Sequence, residues 1–220
     1  SDGMIVFRPS DGEKICHVSE VGLLGEHNLE NVLPAIAAAR IFDVSFDVIR
    51  SVVKSFRGLS HRLEFVGGMK VGGGDNAGVV RFYNDSFSTT PETSIAGMLS
   101  FSHRVSTGSE QRDGHPLYLI AGGSEKKSVF DEWAAMVRVL PNLQRVFLMG
   151  PCGERMGVSL RDSAKKIQAA NLREAFEKAT ASAKEDILRG AREAIVLLSP
   201  GAASFNEFEN YKKRGEAFRS

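Results

Sequence analysis

Between residues 79 and 198 four short β-type runs (79–83, 117–121, 145–149 and 194–198) alternate with segments whose apolar residues recur at helical spacing. The runs are almost continuously apolar, as in strands buried on both faces, and that texture belongs to parallel sheets covered by helices. One helix is expected after Thr90, a capping residue, with Pro91 in its first turn and Ile95, Met98 and Leu99 on its inner face. A second carries Phe130, Trp133, Val137 and Leu140 on one side, and a third repeats Leu172, Phe176, Ala179 and Ala183. A last helix is expected from about 205 to 218. Strands and helices alternating at these lengths predict an α/β fold with a mostly parallel sheet and helices on both faces.

Residues 1–58 read differently. Runs at 4–7 and 15–18 flank the turn residues Ser10, Asp11 and Gly12, which predicts an antiparallel hairpin. Two helices follow, one with Val32, Leu33, Ile36 and Ala37 from Leu29 onward, the other with Phe46, Ile49, Val53 and Phe56 after the capping residue Ser45. Pro34 removes a backbone donor, so the first of them is expected to start late or to bend. A boundary is placed near 57–60, giving domains at 1–58 and 59–220. Beyond it, runs at 62–66 and 79–83 bracket the glycine-rich stretch Gly67 to Gly78, suited to a hairpin, and 102–114 reads as a polar connecting loop. The chain begins at Ser1 in mid-domain texture, as a piece of a longer protein would.

Composition narrows the function. With 28 Lys and Arg against 27 Asp and Glu there is no basic field to gather nucleic acid. Cys16 and Cys152, far apart and in no CxxC pair, offer neither a disulfide frame nor a thiolate zinc site and fit a reducing cytoplasm. No apolar run approaches the ~18 residues needed to span a bilayer. Gly72, Gly74 and Ala77 fit a dinucleotide fingerprint in letters only, because a β-type run, not a helix, follows them. The stretch Gly122 to Ser128 lacks the second glycine of a Walker loop. His17, His27, His61, His103 and His115 show no metal-ligand spacing, and no metal site is assigned in this chain.

Three segments fall where parallel α/β sheets place ligands, after the C-terminal ends of strands. They are Asn84-Asp85-Ser86 with Ser88-Thr89-Thr90, Gly122-Gly123 with Lys126, and Ser199-Pro200-Gly201 with Ser204. Hydroxyls, free backbone N–H groups and a cation together favour a bound carboxylate or phosphate. Each has a bland alternative: Ser204 with Glu207 is a capping box, Thr90 a helix cap, Lys126 a solvated lysine and Asp85 a turn residue. A fourth segment, Gly25-Glu26-His27-Asn28 with Asn31, pairs with His61-Arg62-Leu63-Glu64, and by themselves its asparagines read as helix-start caps.

The segments GEHNLENVLPAIAAA (25–39), FRGLSHRLEFV (56–66), NDSFSTTP (84–91), IAGGSEKKSVF (120–130) and LLSPGAASFNEFENYKKRGEAF (197–218) together resemble the Mur ligase family. The first three are shared in style with the folylpolyglutamate synthase relatives. The last resembles the branch that adds D-glutamate to UDP-N-acetylmuramoyl-L-alanine. The resemblance implies a three-domain, cytoplasmic, ATP- and Mg²⁺-dependent ligase acting through an acyl phosphate. Residues 1–58 would be the end of the central ATPase domain, and 59–220 the Rossmann-like amino-acid domain. The Walker loop and metal ligands would lie in the upstream domains, and the fragment alone would be inactive. It further implies that Thr89, Lys126, Ser204, Phe205 and Tyr211 surround D-glutamate. Asn28, Asn31, Arg62 and Asp85 would contact ATP, with Arg62 toward phosphate and Asp85 toward ribose. His27 and His61 would be structural neighbours. Two departures stand out: Phe87 replaces the lysine of the family's NDSKATN, and Phe205 stands where leucine is familiar. Lys127 beside Lys126 leaves the register of the carboxylate-binding lysine open by one residue. Against this stand a superfamily ligase with another amino acid and a non-catalytic anion-binding α/β module.

Overall fold

A computed structural model of the chain describes residues 3–8, 12–74, 77–102, 115–124, 126–161 and 163–220. The turn residues Ser10 and Asp11, His103 and the rest of the connection at 103–114 lie outside the described residues. The chain divides into two units, Ser1–Gly58 with Leu99–Asp113, and Leu59–Met98 with Gly114–Ser220.

In the first unit β1 (Met4–Phe7) pairs antiparallel with β2 (Glu13–His17), the hairpin read from the sequence. Two helices follow, α1 (Glu26–Ile41) and α2 (Phe46–Ser55), and Ile5, Ile15, Cys16, Val21, Ile36 and Ile49 form the shared core. Ser45 caps α2 by accepting from Val48 N–H at 3.4 Å. Two expectations for α1 are corrected. It starts at Glu26 and continues through Pro34; Glu30, whose carbonyl is left without the proline's missing donor, is exposed, so water can take that donor's place. Its N-cap is Gly25, not an asparagine; Asn28 instead donates Nδ2 to Leu24 O at 2.6 Å.

The second unit is built on six strands in the order β3-β4-β8-β5-β6-β7. They are β3 (Glu64–Val71), β4 (Gly78–Asn84), β5 (Leu117–Gly122), β6 (Leu143–Met149), β7 (Lys166–Ala169) and β8 (Glu193–Leu198). Only the edge strand β3 is antiparallel, paired with β4, and the glycines between them form the hairpin and its turn, not a dinucleotide loop. The central strands β5 and β8 carry fully buried apolar residues on both faces, as their continuous apolar runs require. On one face Tyr118, Ile120, Phe147, Val196 and Leu198 meet α6 (Leu172–Leu188) through Leu172, Ala175, Ala179, Ala183 and Ile187. The alanines let the helix lie close to the sheet. At its end Phe176 packs on Phe82 and Phe218 with ring centroids 5.4 Å apart in both pairs.

Residues alternating with these along the strands, among them Leu117, Leu119, Leu148, Ile195 and Leu197, are buried on the opposite face. Here α5 (Gly150–Ser159) packs on β5, β6 and β7. Helix α4 (Asp131–Val139) buries Phe130, Trp133, Val137 and Leu140 as expected. Trp133 Nε1 donates to Ser94 Oγ at 3.1 Å, linking α4 to α3 (Pro91–Leu99). The inner face of α3 differs from expectation: Ser94, Gly97 and Met98 are buried, while Ile95 is half-buried and Leu99 exposed. Helix α5 and strand β7 were not expected from the sequence. The last helix, α7 (Tyr211–Arg219), starts six residues later than expected, with Asn210 accepting from Lys213 N–H at 3.0 Å. Among the described residues no helix is long and apolar enough to cross a membrane.

Candidate functional site

Strands β5 and β8 are neighbours whose outgoing chains part: β5 leads to α4 and β6 on one side, β8 to α7, which packs beside β4 on the other. Connections that diverge in this way open a crevice beyond the strand ends, where α/β sheets bind ligands. The crevice is bordered by the three segments singled out from the sequence. They are stitched together by backbone bonds: Gly122 N–H donates to Pro200 O at 2.8 Å, Ser124 N–H to Ala203 O at 2.9 Å, and Gly201 N–H to Ser88 O at 3.1 Å. Phe205 N–H donates to Ser124 Oγ at 3.0 Å. Such close approach needs glycine at the end of β5. A Cβ on Gly122 would lie 2.1 Å from Met149 O, and one on Gly123 2.1 Å from Ala203 O, with φ of +107° and +148°.

Beneath the loops runs a buried polar network. Asp85, just past β4, is 6 % exposed; its Oδ2 accepts from Ser199 Oγ at 2.7 Å and its Oδ1 from Leu63 N–H at 3.2 Å. Ser199 O in turn accepts from Ser94 Oγ at 2.8 Å. Burial pushes the Asp85 carboxyl up to about 7, against the opposing hydrogen bonds from Ser199 and Leu63 and the charges of Arg62 and Arg214. The turn reading of Asp85 therefore covers only its backbone, whose carbonyl accepts from Ser88 N–H at 2.9 Å.

A second network, unforeseen from the sequence, centres on Arg214 of α7, which is 1 % exposed. Its Nε donates to Ser86 Oγ at 3.0 Å, Nη2 to Ser86 O at 2.9 Å and Nη1 to Ala202 O at 2.9 Å. Ser86 Oγ donates to Tyr211 O at 2.8 Å, and Asn84 Nδ2 donates to Gly215 O at 3.2 Å. Burial lowers the Arg214 guanidinium to about 10, still charged at neutral pH. Nearby, Glu64 is held below the usual carboxylate range. Burial would raise it, but a hydrogen-bonded Arg219 and the His61 N–H, 2.9 Å away, outweigh that cost. The KRGEAF ending thus docks the last helix through Arg214, Gly215 and Phe218. A buried arginine in a charged, polar stretch gives no periodic signal, so only the fold reveals it.

The residues named for an amino-acid ligand all lie in this unit. Thr89 is half-buried on the loop after β4; Lys126 is exposed after β5 and makes no hydrogen bond or ion pair among the described residues. Ser204 is 2 % exposed, and its hydroxyl likewise has no hydrogen bond there. The capping-box reading of Ser204 is corrected. No helix starts at Ser204, and the Glu207 carboxylate reaches across to Leu172 N–H, 3.2 Å from its Oε2, at the head of α6. Thr90 does cap α3, accepting from Thr93 N–H at 3.5 Å. Phe205 is exposed, and Tyr211 meets Phe87 edge to face at 5.0 Å. The Arg62 guanidinium lies 4.8 Å from the centre of the Phe87 ring. Asn28 and Asn31, which belong to the first unit, bond to each other at 3.4 Å. Among the described residues no cluster of three or more His, Cys, Asp and Glu could hold a metal ion.

No family model matches the chain. Curated relatives do. The chain is 35 % identical over 227 residues to the UDP-N-acetylmuramoylalanine–D-glutamate ligase of Thermoanaerobacter sp. (strain X514), covering 99 % of this chain and 43 % of that protein. It is 36 % identical over 221 residues to the ligase of the same name from Oenococcus oeni (strain ATCC BAA-331 / PSU-1), covering 100 % and 43 %. The chain therefore spans less than half the length of these relatives. Among solved structures, the fold is similar to folylpolyglutamate synthase from Mycobacterium tuberculosis complexed with ADP and AMPPCP, with a TM-score of 0.61, 17 % identity, and coverage of 89 % of this chain and 41 % of that one. It is also similar to MurF from Acinetobacter baumannii, with a TM-score of 0.59, 14 % identity and coverage of 99 % and 45 %. Over nearly its whole length the chain is thus similar in sequence to part of these D-glutamate ligases, and it shares the fold of these two solved structures.

Proposed function

We propose that the parent protein is an ATP-dependent ligase that joins D-glutamate to UDP-N-acetylmuramoyl-L-alanine, and that the second unit of this chain carries the amino-acid site. One observation supports this most: at the β5/β8 crevice Lys126 and the hydroxyl of the buried residue Ser204, neither with a hydrogen bond among the described residues, sit on loops bonded to one another. A dicarboxylate satisfies both groups. Lys126 would hold one carboxylate by a charge-assisted bond, Ser204 and Thr89 would donate hydroxyls, and Phe205 and Tyr211 would form the walls. In the reaction, the carboxylate of the nucleotide-linked substrate takes the γ-phosphoryl group of ATP. The amine of D-glutamate then attacks that acyl carbon, and phosphate leaves with formation of the amide. The groups in this chain orient the amine; positioning of this kind can lower a barrier substantially.

The nucleotide roles of Arg62, Asp85, Asn28 and Asn31 are part of the same proposal. Arg62 offers a guanidinium that makes no hydrogen bond or ion pair among the described residues, which fits a phosphate. Asp85 already accepts two internal bonds and has lone pairs left for a hydroxyl. By resemblance to the family, Mg²⁺ would be held by the rest of the parent protein, and the roles assigned to this chain do not involve it. The setting would be the cytoplasm, where the nucleotide substrates are. The test is ADP release by the parent protein with UDP-N-acetylmuramoyl-L-alanine and D-glutamate, L-glutamate or no amino acid. D-glutamate-dependent release is expected. Release that depends on another amino acid would discard the substrate, and silence with every amino acid would favour the anion-binding module.

A further inference from the structure

Phe87 is 42 % exposed, an unusual position for a phenylalanine among buried neighbours at a strand end. Its ring is not idle. Arg62 lies over one side at 4.8 Å, inside the range of a cation–π contact, and Tyr211 backs it edge to face at 5.0 Å. Tyr211 is itself set edge to face against His61 at 6.1 Å. The backbones are pinned as well: Phe87 N–H donates to His61 O at 3.0 Å, and Arg62 N–H to Leu59 O at 3.2 Å. The Arg62 side chain makes no hydrogen bond or ion pair among the described residues, so its donors are left for a ligand. A free arginine is a long, mobile side chain, and one already stacked loses less freedom when it binds.

We infer that Phe87 is a positioning residue: it holds the Arg62 guanidinium in place for the phosphates of the nucleotide and ties that cation, through Tyr211, to the wall of the amino-acid pocket. This rests on the ligase reading. In place of the lysine found in the family motif, the loop carries a ring that fixes another residue's charge. Removing the ring loosens Arg62 without removing it, so nucleotide affinity falls while the chemical step is spared.

The experiment is titration of the parent protein with ATP, without amino acid, for wild type, Phe87→Leu, Phe87→Trp, Arg62→Ala and the double variant Arg62→Ala/Phe87→Leu. Phe87→Leu is expected to raise the ATP Kd roughly 2- to 5-fold, the scale of an exposed cation–π contact. Phe87→Trp is expected to restore it, and Phe87→Leu to add nothing once Arg62 is gone. In turnover, the ATP KM should rise in Phe87→Leu with kcat within twofold of wild type. In NMR spectra the upfield ring-current shift of the Arg62 side-chain N–H should vanish in Phe87→Leu. An unchanged Kd in Phe87→Leu, a further loss in the Arg62→Ala background, or a parent that does not bind ATP would each overturn the inference. Because the titration needs no turnover, a parent that binds ATP but ignores D-glutamate would refute the ligase substrate while leaving this measurement decisive.

Discussion

The Arg214 guanidinium donates to the carbonyl of Ser86 at 2.9 Å, joining the last helix to the loop that follows β4. The bond lies between residues 128 positions apart and is one of three from the same buried cation. Through it the KRGEAF segment fixes the loop bearing Phe87, Ser88 and Thr89. The candidate site thus rests on a helix that contributes Tyr211 to the site but otherwise acts from below.

Arg214→Met should be strongly destabilising. Two backbone carbonyls and the Ser86 hydroxyl would lose their donors in a dry interior, at about 1–3 kcal/mol for each group left unsatisfied. Arg214→Lys should recover only part, since one ammonium cannot span both Ser86 and Ala202 as the planar fork does. Urea unfolding of the three proteins measures the order; a lysine variant as stable as wild type would show that charge, not geometry, is what matters.

Gly215→Ala should cost about 1–3 kcal/mol, the range for overpacking a filled interior. The new Cβ would stand 2.2 Å from His61 Nδ1 and 3.0 Å from Asn84 Nδ2, both buried. Thermal denaturation checks this, and an unshifted Tm would mean that His61 can move aside.

Asp85 makes stability depend on pH in a direction opposite to most carboxylates. Its folded-state value of about 7 lies above the ordinary 3.8. The folded protein therefore keeps a proton that the unfolded chain has lost. The contribution is present in full below pH ~4, declines as pH rises through about 7, and is then constant, a change of a few kcal/mol in order of magnitude. Asp85→Asn removes this slope, with its Oδ1 still accepting from Leu63. Unfolding free energies of both proteins at pH 4.5, 6 and 8 should converge differently: the asparagine variant gains relative to wild type as pH rises. A constant difference would contradict the raised value. His61, whose pKa burial lowers, is common to both proteins and cancels in the comparison.

Ser204→Ala separates ligand from cap. Because no helix begins at Ser204 and its hydroxyl has no hydrogen bond among the described residues, the Tm should hold within about a degree, whereas loss of a cap would cost ~1 kcal/mol. The D-glutamate KM of the parent should rise about tenfold or more, the scale of a hydrogen bond to a carboxylate. A lowered Tm with unchanged KM would restore the structural role.

How much of this was legible in the sequence depends on the kind of signal. The central strands β5 and β8 and helix α4 announce themselves, because full burial leaves continuous apolar runs and a clean 3.6-residue stripe. Helix α5 does not. Gly150, Pro151, Gly153 and Gly157 argue against a helix locally, yet Gly153 lets it lie against β6, where a Cβ would come within 3.0 Å of Leu148 C. Tertiary packing overrides propensity there. Strand β7 is four residues long and half polar, too short for a pattern. The loops of the site were found by their place after strands and by their hydroxyls and lysine. The stack of Arg62 on Phe87 and the reach of Glu207 to Leu172 depend on distant parts of the chain meeting, which no local pattern encodes.

In the proposed function the β5/β8 crevice holds the amino acid through Lys126. Lys126→Met in the parent protein tests it directly, by the D-glutamate KM measured beside the ATP KM. A D-glutamate KM raised at least tenfold, with the ATP KM within twofold of wild type, is expected. An unchanged D-glutamate KM would contradict it.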